Sequence, residues 1–178
     1  MPGNPLPDAE QLLKALIEQM RPAVGPETGL IGIHTGGVWV AERVHQALKP
    51  KTPPAALDVS YYRDDYAARG LNRDVKRSEI PFEVEGRDLI LVDDVLYTGR
   101  TIRAALNELF DYGRPASVRL ATLVDRGGRH LPIAAKRARL SAADRVVRGC
   151  ECRVSKSPTA TPMRFVPKSN ARTVPVLG

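Results

Sequence analysis

One short stretch, Asp88–Thr101, constrains the fold of this 178-residue chain more than any other. After Asp88 come four consecutive apolar residues, Leu89–Val92, which is the pattern of a strand buried on both faces of a sheet. Two carboxylates, Asp93 and Asp94, follow where we expect that strand to end. A polar segment with one glycine, Tyr97–Thr101, then opens a helix. This order predicts a strand–loop–helix unit of an α/β protein.

The same order indicates a site for a phosphorylated sugar. The N–H groups at a helix N-terminus and the hydroxyls of Thr98 and Thr101 are suited to phosphate, and the helix dipole favours negative charge there. The carboxylates of Asp93 and Asp94 are suited to accepting hydrogen bonds from sugar hydroxyls. A solvated strand end or a helix cap is the plain alternative, and the Thr-Gly-Arg-Thr that follows favours the site.

Apolar patterns of the helical and the strand type alternate along most of the chain. Helices are expected over 8–20, Val38–Leu48 and Arg100–Tyr112, and strands over Leu30–Ile33, Ala56–Tyr62, Leu89–Val92 and Ser117–Val124. The alternation predicts an α/β fold with a mostly parallel twisted sheet flanked by helices. Ligands of such sheets bind beyond the carboxyl ends of the strands, where the loops 34–37, 93–101 and 125–129 emerge.

The net charge of +7 is unevenly distributed. Residues 1–135 carry 17 Lys and Arg against 18 Asp and Glu, whereas residues 136–178 carry 10 against 2, a net charge of +8. The latter segment has four prolines and no periodicity, a composition biased towards disorder. We therefore predict a folded domain over 1–135 and an atypical basic tail over 136–178. An unfolded tail is the plainer interpretation and a nucleic-acid arm the alternative; a shift of reading frame would also produce so abrupt a change.

The sequence favours a cytoplasmic protein. No stretch approaches the roughly 18 consecutive apolar residues of a membrane helix. The N-terminus has no basic region followed by an apolar run, so we expect no signal peptide. Cys150 and Cys152 are too close for an ordinary disulfide and have no second ligand pair nearby, which favours two reduced thiols over a metal site.

The segment Val92–Thr101, Val-Asp-Asp-Val-Leu-Tyr-Thr-Gly-Arg-Thr, resembles the phosphoribosyl-pyrophosphate (PRPP) motif of type I phosphoribosyltransferases. The amino-acid sequence of this motif is similar to that of the PyrR family, the bifunctional pyr-operon regulators with uracil phosphoribosyltransferase activity. Supporting stretches are Tyr62–Asp65, Asp111–Ser117 and Asp125–Ile133. The likeness covers residues 8–135 and implies the type I phosphoribosyltransferase fold.

The resemblance also implies a reaction, in which uracil and PRPP give UMP and pyrophosphate with Mg²⁺. Asp93 and Asp94 would be catalytic and would hold the ribose hydroxyls, directly or through the metal, with Arg63 as the third catalytic residue in a loop expected to close over the pyrophosphate. Arg126 and Arg129 would lie in the base-site region. The implied PRPP-binding residues are Leu89, Ile90, Leu91, Val92, Asp93, Asp94, Val95, Leu96, Tyr97, Thr98, Gly99, Arg100 and Thr101, with Thr35 and Gly36 from the turn that would hold pyrophosphate.

The chain departs from its relatives at two places. They often carry Thr-Arg-Gly where this sequence has Thr35-Gly36-Gly37, so an arginine is missing. Residues 136–178 bear little likeness to the segment that forms the hood over the base. Two alternatives therefore stay open: an RNA-binding regulator that reads UMP against PRPP with vestigial catalysis, and a phosphoribosyltransferase for another base. The pyr mRNA leader is a further candidate partner, and we expect a homodimer or a larger homo-oligomer.

Overall fold

The computed structural model describes residues 8–59, 77–137, 150–153 and 164–167. The helices are α1 (Ala9–Met20), α2 (Gly36–Leu48) and α3 (Arg100–Phe110), with a short 3₁₀ helix at Arg21–Ala23. The strands are β1 (Gly29–Ile33), β2 (Ala55–Leu57), β3 (Asp88–Leu96), β4 (Ser117–Asp125), β5 (Lys136–Arg137), β6 (Cys150–Arg153) and β7 (Arg164–Pro167).

Five of these strands form one sheet in the order β2-β1-β3-β4-β5. Every neighbouring pair in it is parallel, so the prediction of a mostly parallel α/β fold is confirmed. The chain moves outward in one direction from β1 to β2 and in the other from β3 to β5. The strand order therefore reverses between β1 and β3, and sheets of this kind bind their ligands at such a reversal.

Helices cover both faces of the sheet, and β3 lies between them. Ile90 and Val92 pack in a core with α1 and α2, whereas Leu89 and Leu91 pack in a second core with α3. None of the four side chains is more than 3% exposed. The prediction that Leu89–Val92 forms a strand buried on both faces is therefore confirmed.

The first helix starts at the predicted cap. The carboxylate of Asp8 accepts a hydrogen bond from the N–H of Glu10 at 2.9 Å, which satisfies one of the donors left open at the helix start. The apolar stripe of α1, which includes Leu12, Leu13 and Leu16, is buried in the first core. An ion pair of 2.7 Å between Glu10 and Arg43 links α1 to α2.

Several predicted boundaries are wrong. Strand β3 runs to Leu96 instead of ending at Val92, because its ladder with β4 continues to the pair of Leu96 with Asp125. Helix α2 begins at Gly36 instead of Val38, because its first turn packs directly on β3. Two other boundaries differ by a single residue: β1 starts one residue earlier than predicted and β4 ends one residue later.

Helix α3 and strand β2 are shorter than predicted. The helix ends at Phe110, because the N–H of Tyr112 donates to the carbonyl of Leu109 at 3.1 Å and so closes a tight turn. The strand ends at Leu57, after an antiparallel bridge in which Ala56 pairs with the returning chain at Glu79. The rest of the strand predicted up to Tyr62 lies outside the described residues.

The segment after residue 135 contains three short strands. β5 extends the main sheet beside β4, while β6 and β7 pair with each other in antiparallel fashion. The other residues of the predicted basic tail lie outside the described part of the chain, so its separation at residue 135 stays a prediction. Among the described helices, none combines the length and the apolar character that a bilayer crossing requires. A cytoplasmic location likewise stays a prediction.

Candidate active site

A crevice is expected where the strand order reverses between β1 and β3, and the two strands end unequally there. Their ladder ends at the pair of Gly32 with Val92, whereas β3 stays paired with β4 as far as Leu96. Asp93 and Asp94 therefore lie on a part of β3 that is paired with β4 but not with β1. Asp93 is buried, with 7% of its surface exposed, and Asp94 is half-buried.

The two carboxylates are held by the backbone beside them. Oδ1 of Asp93 accepts the N–H of Asp94 at 3.0 Å, and Oδ1 of Asp94 accepts the N–H of Val95 at 2.9 Å. Each short contact fixes the rotamer of its own side chain at the carboxyl end of β3. Both groups are therefore ordered acceptors, as recognition of vicinal sugar hydroxyls requires.

The N-terminus of α2 forms one wall of the crevice. Thr35 is its N-cap residue, and the His34–Thr35 peptide bond just before it is cis. A side chain at Gly36 would begin on top of the Asp94 carboxylate, and one at Gly37 would overlap the carbonyl of Val92. No acidic residue stands in the first turn of the helix. The structure therefore brings Gly36 of the predicted turn 34–37 against the Asp94 carboxylate, with Thr35 next to it in the chain, and packs Gly37 on the backbone of β3.

The N-terminus of α3 follows the end of β3 after a short turn. Gly99 precedes it with φ of 89°, a left-handed conformation that glycine adopts without steric cost. The hydroxyl oxygen of Thr98 accepts the N–H of Arg100 at 3.3 Å, and the first turn, which contains Thr101, has no acidic residue. A helix start of this kind is favourable for an anion because its N–H groups and its dipole both point to the ligand side.

Residues Leu89–Val92 do not line this crevice. Their side chains are buried in the two cores, so their contribution is to hold β3 in place. Arg63 lies outside the described residues, as do all the other residues of the closing loop predicted over Arg63–Arg77 except Arg77 itself. Of the predicted residues, the structure thus brings Gly36 against Asp94, from which β3 runs on to the turn before α3.

The segment after β4 packs against the same edge of the sheet. The guanidinium of Arg126 lies over the ring of Tyr97, 4.3 Å from its centre. Arg129 is bound to Asp125 at 2.6 Å and to the carbonyl of Tyr97 at 2.6 Å. Both arginines are therefore at the predicted edge, but Arg129 turns towards the protein. The sequence assigned no role to Asp125, although its position at the end of an apolar strand resembles that of Asp93.

Comparison with known proteins defines the class first. Residues 5–152 match the family model described as "Phosphoribosyl transferase domain". Among solved structures, a hypoxanthine-guanine phosphoribosyltransferase from Bacillus anthracis is 20% identical, with a TM-score of 0.59 over 75% of this chain and 81% of that one. A hypoxanthine phosphoribosyltransferase from Trypanosoma cruzi is 21% identical, with a TM-score of 0.56 over 73% and 76% of the two chains. The fold is therefore that of the phosphoribosyltransferases.

Curated relatives narrow the assignment. A protein of Pseudomonas paraeruginosa named "Bifunctional protein PyrR" is 53% identical over 133 residues, which cover 72% of this chain and 78% of the relative. One of the same name from Nitrosococcus oceani is 55% identical over 126 residues, 70% and 71% of the two chains. The chain belongs to the PyrR family of phosphoribosyltransferases, and the resemblance inferred from the Val92–Thr101 motif is confirmed.

Proposed function

We propose that this protein transfers the phosphoribosyl group of PRPP to uracil, giving UMP and pyrophosphate, and that it regulates expression of pyrimidine biosynthesis. One observation carries the catalytic part. In a chain of the PyrR family, α2 begins against the side chain of Asp94, and the strand that carries Asp93 and Asp94 leads through a short turn into α3, at the reversal of strand order.

The two helix starts suit the two phosphate groups of PRPP. The turn at Tyr97–Thr101 would bind the 5′-phosphate through backbone N–H groups and the hydroxyls of Thr98 and Thr101. The turn at Thr35–Gly37 would receive the pyrophosphate, since glycines there allow a close approach of backbone to ligand. The helix dipoles would stabilise the charge that builds on the leaving pyrophosphate.

Asp93 and Asp94 would hold the ribose between these phosphates. Their carboxylates would accept hydrogen bonds from the two ring hydroxyls and fix the orientation of the anomeric carbon. Positive charge develops at that carbon as the bond to pyrophosphate breaks, and two nearby carboxylates stabilise such charge. The base nitrogen would form the new bond on the face opposite to the leaving pyrophosphate, and its proton would be released to solvent.

The residues present fit a Mg²⁺ ion that arrives with PRPP. In the described part of the chain no three His, Cys, Asp or Glu residues cluster as metal ligands. Mg²⁺ commonly uses one or two carboxylates and completes its octahedron with substrate oxygens and water, and Asp93 and Asp94 would supply the carboxylates. When bound, the ion would neutralise negative charge on the pyrophosphate.

The choice of uracil rests on family membership more than on geometry. Arg126 and the backbone of the segment after β4 would lie near the base. The catalytic role of Arg63 and assembly into a homodimer or larger homo-oligomer stay predictions. A regulator that binds the pyr mRNA leader with vestigial catalysis is the second candidate, and the +8 charge of residues 136–178 favours RNA contact.

The deciding assay measures UMP formation from uracil, PRPP and Mg²⁺ by the full-length protein. We expect turnover in the wild type and a loss of at least about 100-fold in kcat/KM for Asp94→Asn, because the substituted amide no longer supplies the second negative charge. Asp111→Asn makes the same chemical change in an exposed residue just past the far end of α3 and should keep wild-type activity.

Three outcomes separate the alternatives. Turnover with uracil supports the enzyme. Binding of PRPP without turnover of any base leaves the regulator, for which retarded migration of the pyr leader RNA at a stated salt concentration is the test. Turnover with a purine or orotate in place of uracil identifies a transferase for another base.

A further inference from the structure

Three consecutive carbonyl groups, at the end of β3 and in the turn proposed to bind the 5′-phosphate, accept hydrogen bonds from the segment after β4. The carbonyl of Leu96 accepts the N–H of Arg126 at 2.9 Å, and that of Thr98 accepts the N–H of His130 at 3.0 Å. The carbonyl between them, on Tyr97, accepts Nη1 of Arg129 at 2.6 Å. The backbone of the segment after β4 thus binds the outer two carbonyls, and a side chain binds the middle one.

Arg129 is fully engaged with the protein. Besides the bond to Tyr97, its Nη2 lies 2.6 Å from Oδ1 of Asp125, and its Nε donates to the carbonyl of Ile133 at 3.1 Å. The same Asp125 oxygen accepts the N–H of Gly127 at 2.9 Å. The side chains of Arg129 and Asp125 are 22% and 16% exposed. Because the planar guanidinium fixes the directions of its donors, these three bonds lock the turn to β4 and to the following segment.

The direction of the carbonyls decides the direction of the neighbouring N–H groups. In a trans peptide the C=O of one residue and the N–H of the next point opposite ways. With the carbonyls of residues 96, 97 and 98 directed to the segment after β4, the N–H groups of Tyr97, Thr98 and Gly99 are directed away from it. The proposed 5′-phosphate would lie on that side, at the N-terminus of α3.

The ring of Tyr97 fixes the turn from the outside. It lies under the Arg126 guanidinium, and a Cβ added to Gly128 would come within 2.8 Å of its Cε2. The turn is thus held by its backbone, by Arg129 and by packing of one aromatic ring.

We infer that Arg129 is a positioning residue for the 5′-phosphate turn and does not contact the base. The inference rests on the proposed use of that turn for PRPP. By bonding the Tyr97 carbonyl, Arg129 keeps the Thr98 N–H directed at the phosphate, so its removal should weaken the binding of PRPP and leave the recognition of uracil largely unchanged.

The test uses the full-length protein with Arg129→Gln, Arg129→Lys and the matched control Arg114→Gln. Arg114 is exposed and lies just before β4 at the opposite edge of the sheet. For Arg129→Gln we expect the Kd for PRPP with Mg²⁺, measured by titration calorimetry, to rise about 10- to 100-fold, as loss of a charged hydrogen-bond donor would cause. Lysine keeps the charge without the fork and should give an intermediate Kd. Arg114→Gln should match the wild type.

Steady-state kinetics and thermal unfolding complete the test. We expect the KM for PRPP to follow the Kd while the KM for uracil stays near the wild-type value, and Tm to change little in Arg129→Lys. A rise in the KM for uracil with unchanged PRPP binding would overturn the inference and place Arg129 at the base. If the KM values for PRPP and for uracil rose equally and Tm fell in both Arg129 variants, the inference would be overturned in favour of a general stabilising role for Arg129. If the wild type binds PRPP but turns over no uracil, the proposed function fails, while the calorimetric comparison still decides the role of Arg129.

Discussion

Two adjacent glycines at the start of α2 have different tasks. At Gly36 the missing side chain leaves room for the side chain of Asp94, from its Cβ to its carboxylate. At Gly37 it leaves room for the carbonyl of Val92 and the Cα of Asp93, which belong to the backbone of the central strand. A side chain can give way at little cost, whereas a buried strand cannot. The two positions therefore separate the geometry of the site from the stability of the fold.

For Gly36→Ala we expect kcat/KM to fall about 100-fold with little change in stability, since the new methyl displaces Asp94 by a distance of the order of 1 Å. Initial rates with uracil and PRPP and urea unfolding measure the two quantities. Gly25→Ala is the control, because an added Cβ there stays 3.6 Å from the Thr28 hydroxyl. Unchanged rates in Gly36→Ala would mean that Asp94 is not held where the site requires it.

For Gly37→Ala we expect the free energy of unfolding to fall by about 1–3 kcal/mol, the usual cost of overpacking a tight contact. The measurement is the urea midpoint at constant m-value. A midpoint equal to that of Gly25→Ala would contradict the close packing of α2 on β3.

The elements that the sequence predicted well are those with a local signal. The apolar run Leu89–Val92 predicts a strand buried on both faces, and Asp8 marks the start of α1; both are confirmed. The extension of β3 through Asp93 and Asp94 was missed because aspartate disfavours strands, and only the ladder with β4, which is distant in sequence, holds it there.

The same reason explains the start of α2. Gly36 and Gly37 are poor helix formers, so the sequence places them in a loop, but packing against β3 outweighs their propensity. At the candidate site, the motif predicted the two carboxylates at the end of a strand and the glycine-containing turn into a helix. It could not predict that Arg129 turns inward, because the direction of that side chain depends on three partners at 97, 125 and 133.

The cap of α1 gives a test at the scale of the element. For Asp8→Ala we expect a loss of about 1 kcal/mol in the free energy of unfolding, and Asp8→Asn should restore most of it because its side-chain oxygen can accept the same N–H. Catalytic rates should stay at the wild-type level, since α1 packs on the sheet away from the crevice. Equal stability of the alanine and asparagine variants would contradict the cap.

The turn before α3 gives a second test. Gly99→Ala places a side chain at φ of 89°, so we expect a loss of about 1–2 kcal/mol in stability and a weaker affinity for PRPP. Gly86→Ala meets a similar backbone conformation, with φ of 67°, in open space before β3. It should lose comparable stability and keep the Kd for PRPP, as measured by calorimetry. If the two variants weakened PRPP binding equally, backbone strain alone would explain the effect of Gly99→Ala.

At the scale of the whole molecule, charge is divided between two parts of the sequence. Residues 1–135 have a net charge of −1 and residues 136–178 one of +8. Phosphate contacts of nucleic acids require clustered lysine and arginine. Any binding of RNA that depends on general electrostatic attraction should therefore reside in the C-terminal segment.

To test this, three basic residues of that segment, Lys156, Lys168 and Arg172, are replaced together by glutamine in the full-length chain. The logarithm of the RNA association constant falls as the logarithm of the salt concentration rises. If all three residues contact RNA phosphates, this slope should become less steep by about 2 to 3. Replacing Arg21, Arg103 and Arg114 within residues 1–135 is the control and should leave the slope unchanged. An equal decrease in both variants would place the RNA contact on the folded domain.

The unequal lengths of β1 and β3 have an evolutionary consequence. The groups expected to act on the sugar, Asp93 and Asp94, sit on a strand of the central sheet, where most changes would disturb the core. The groups expected near the base lie on connecting segments, which tolerate substitution and insertion more readily. A protein built in this way can acquire a new base specificity by drift in its loops while purifying selection preserves the phosphoribosyl chemistry.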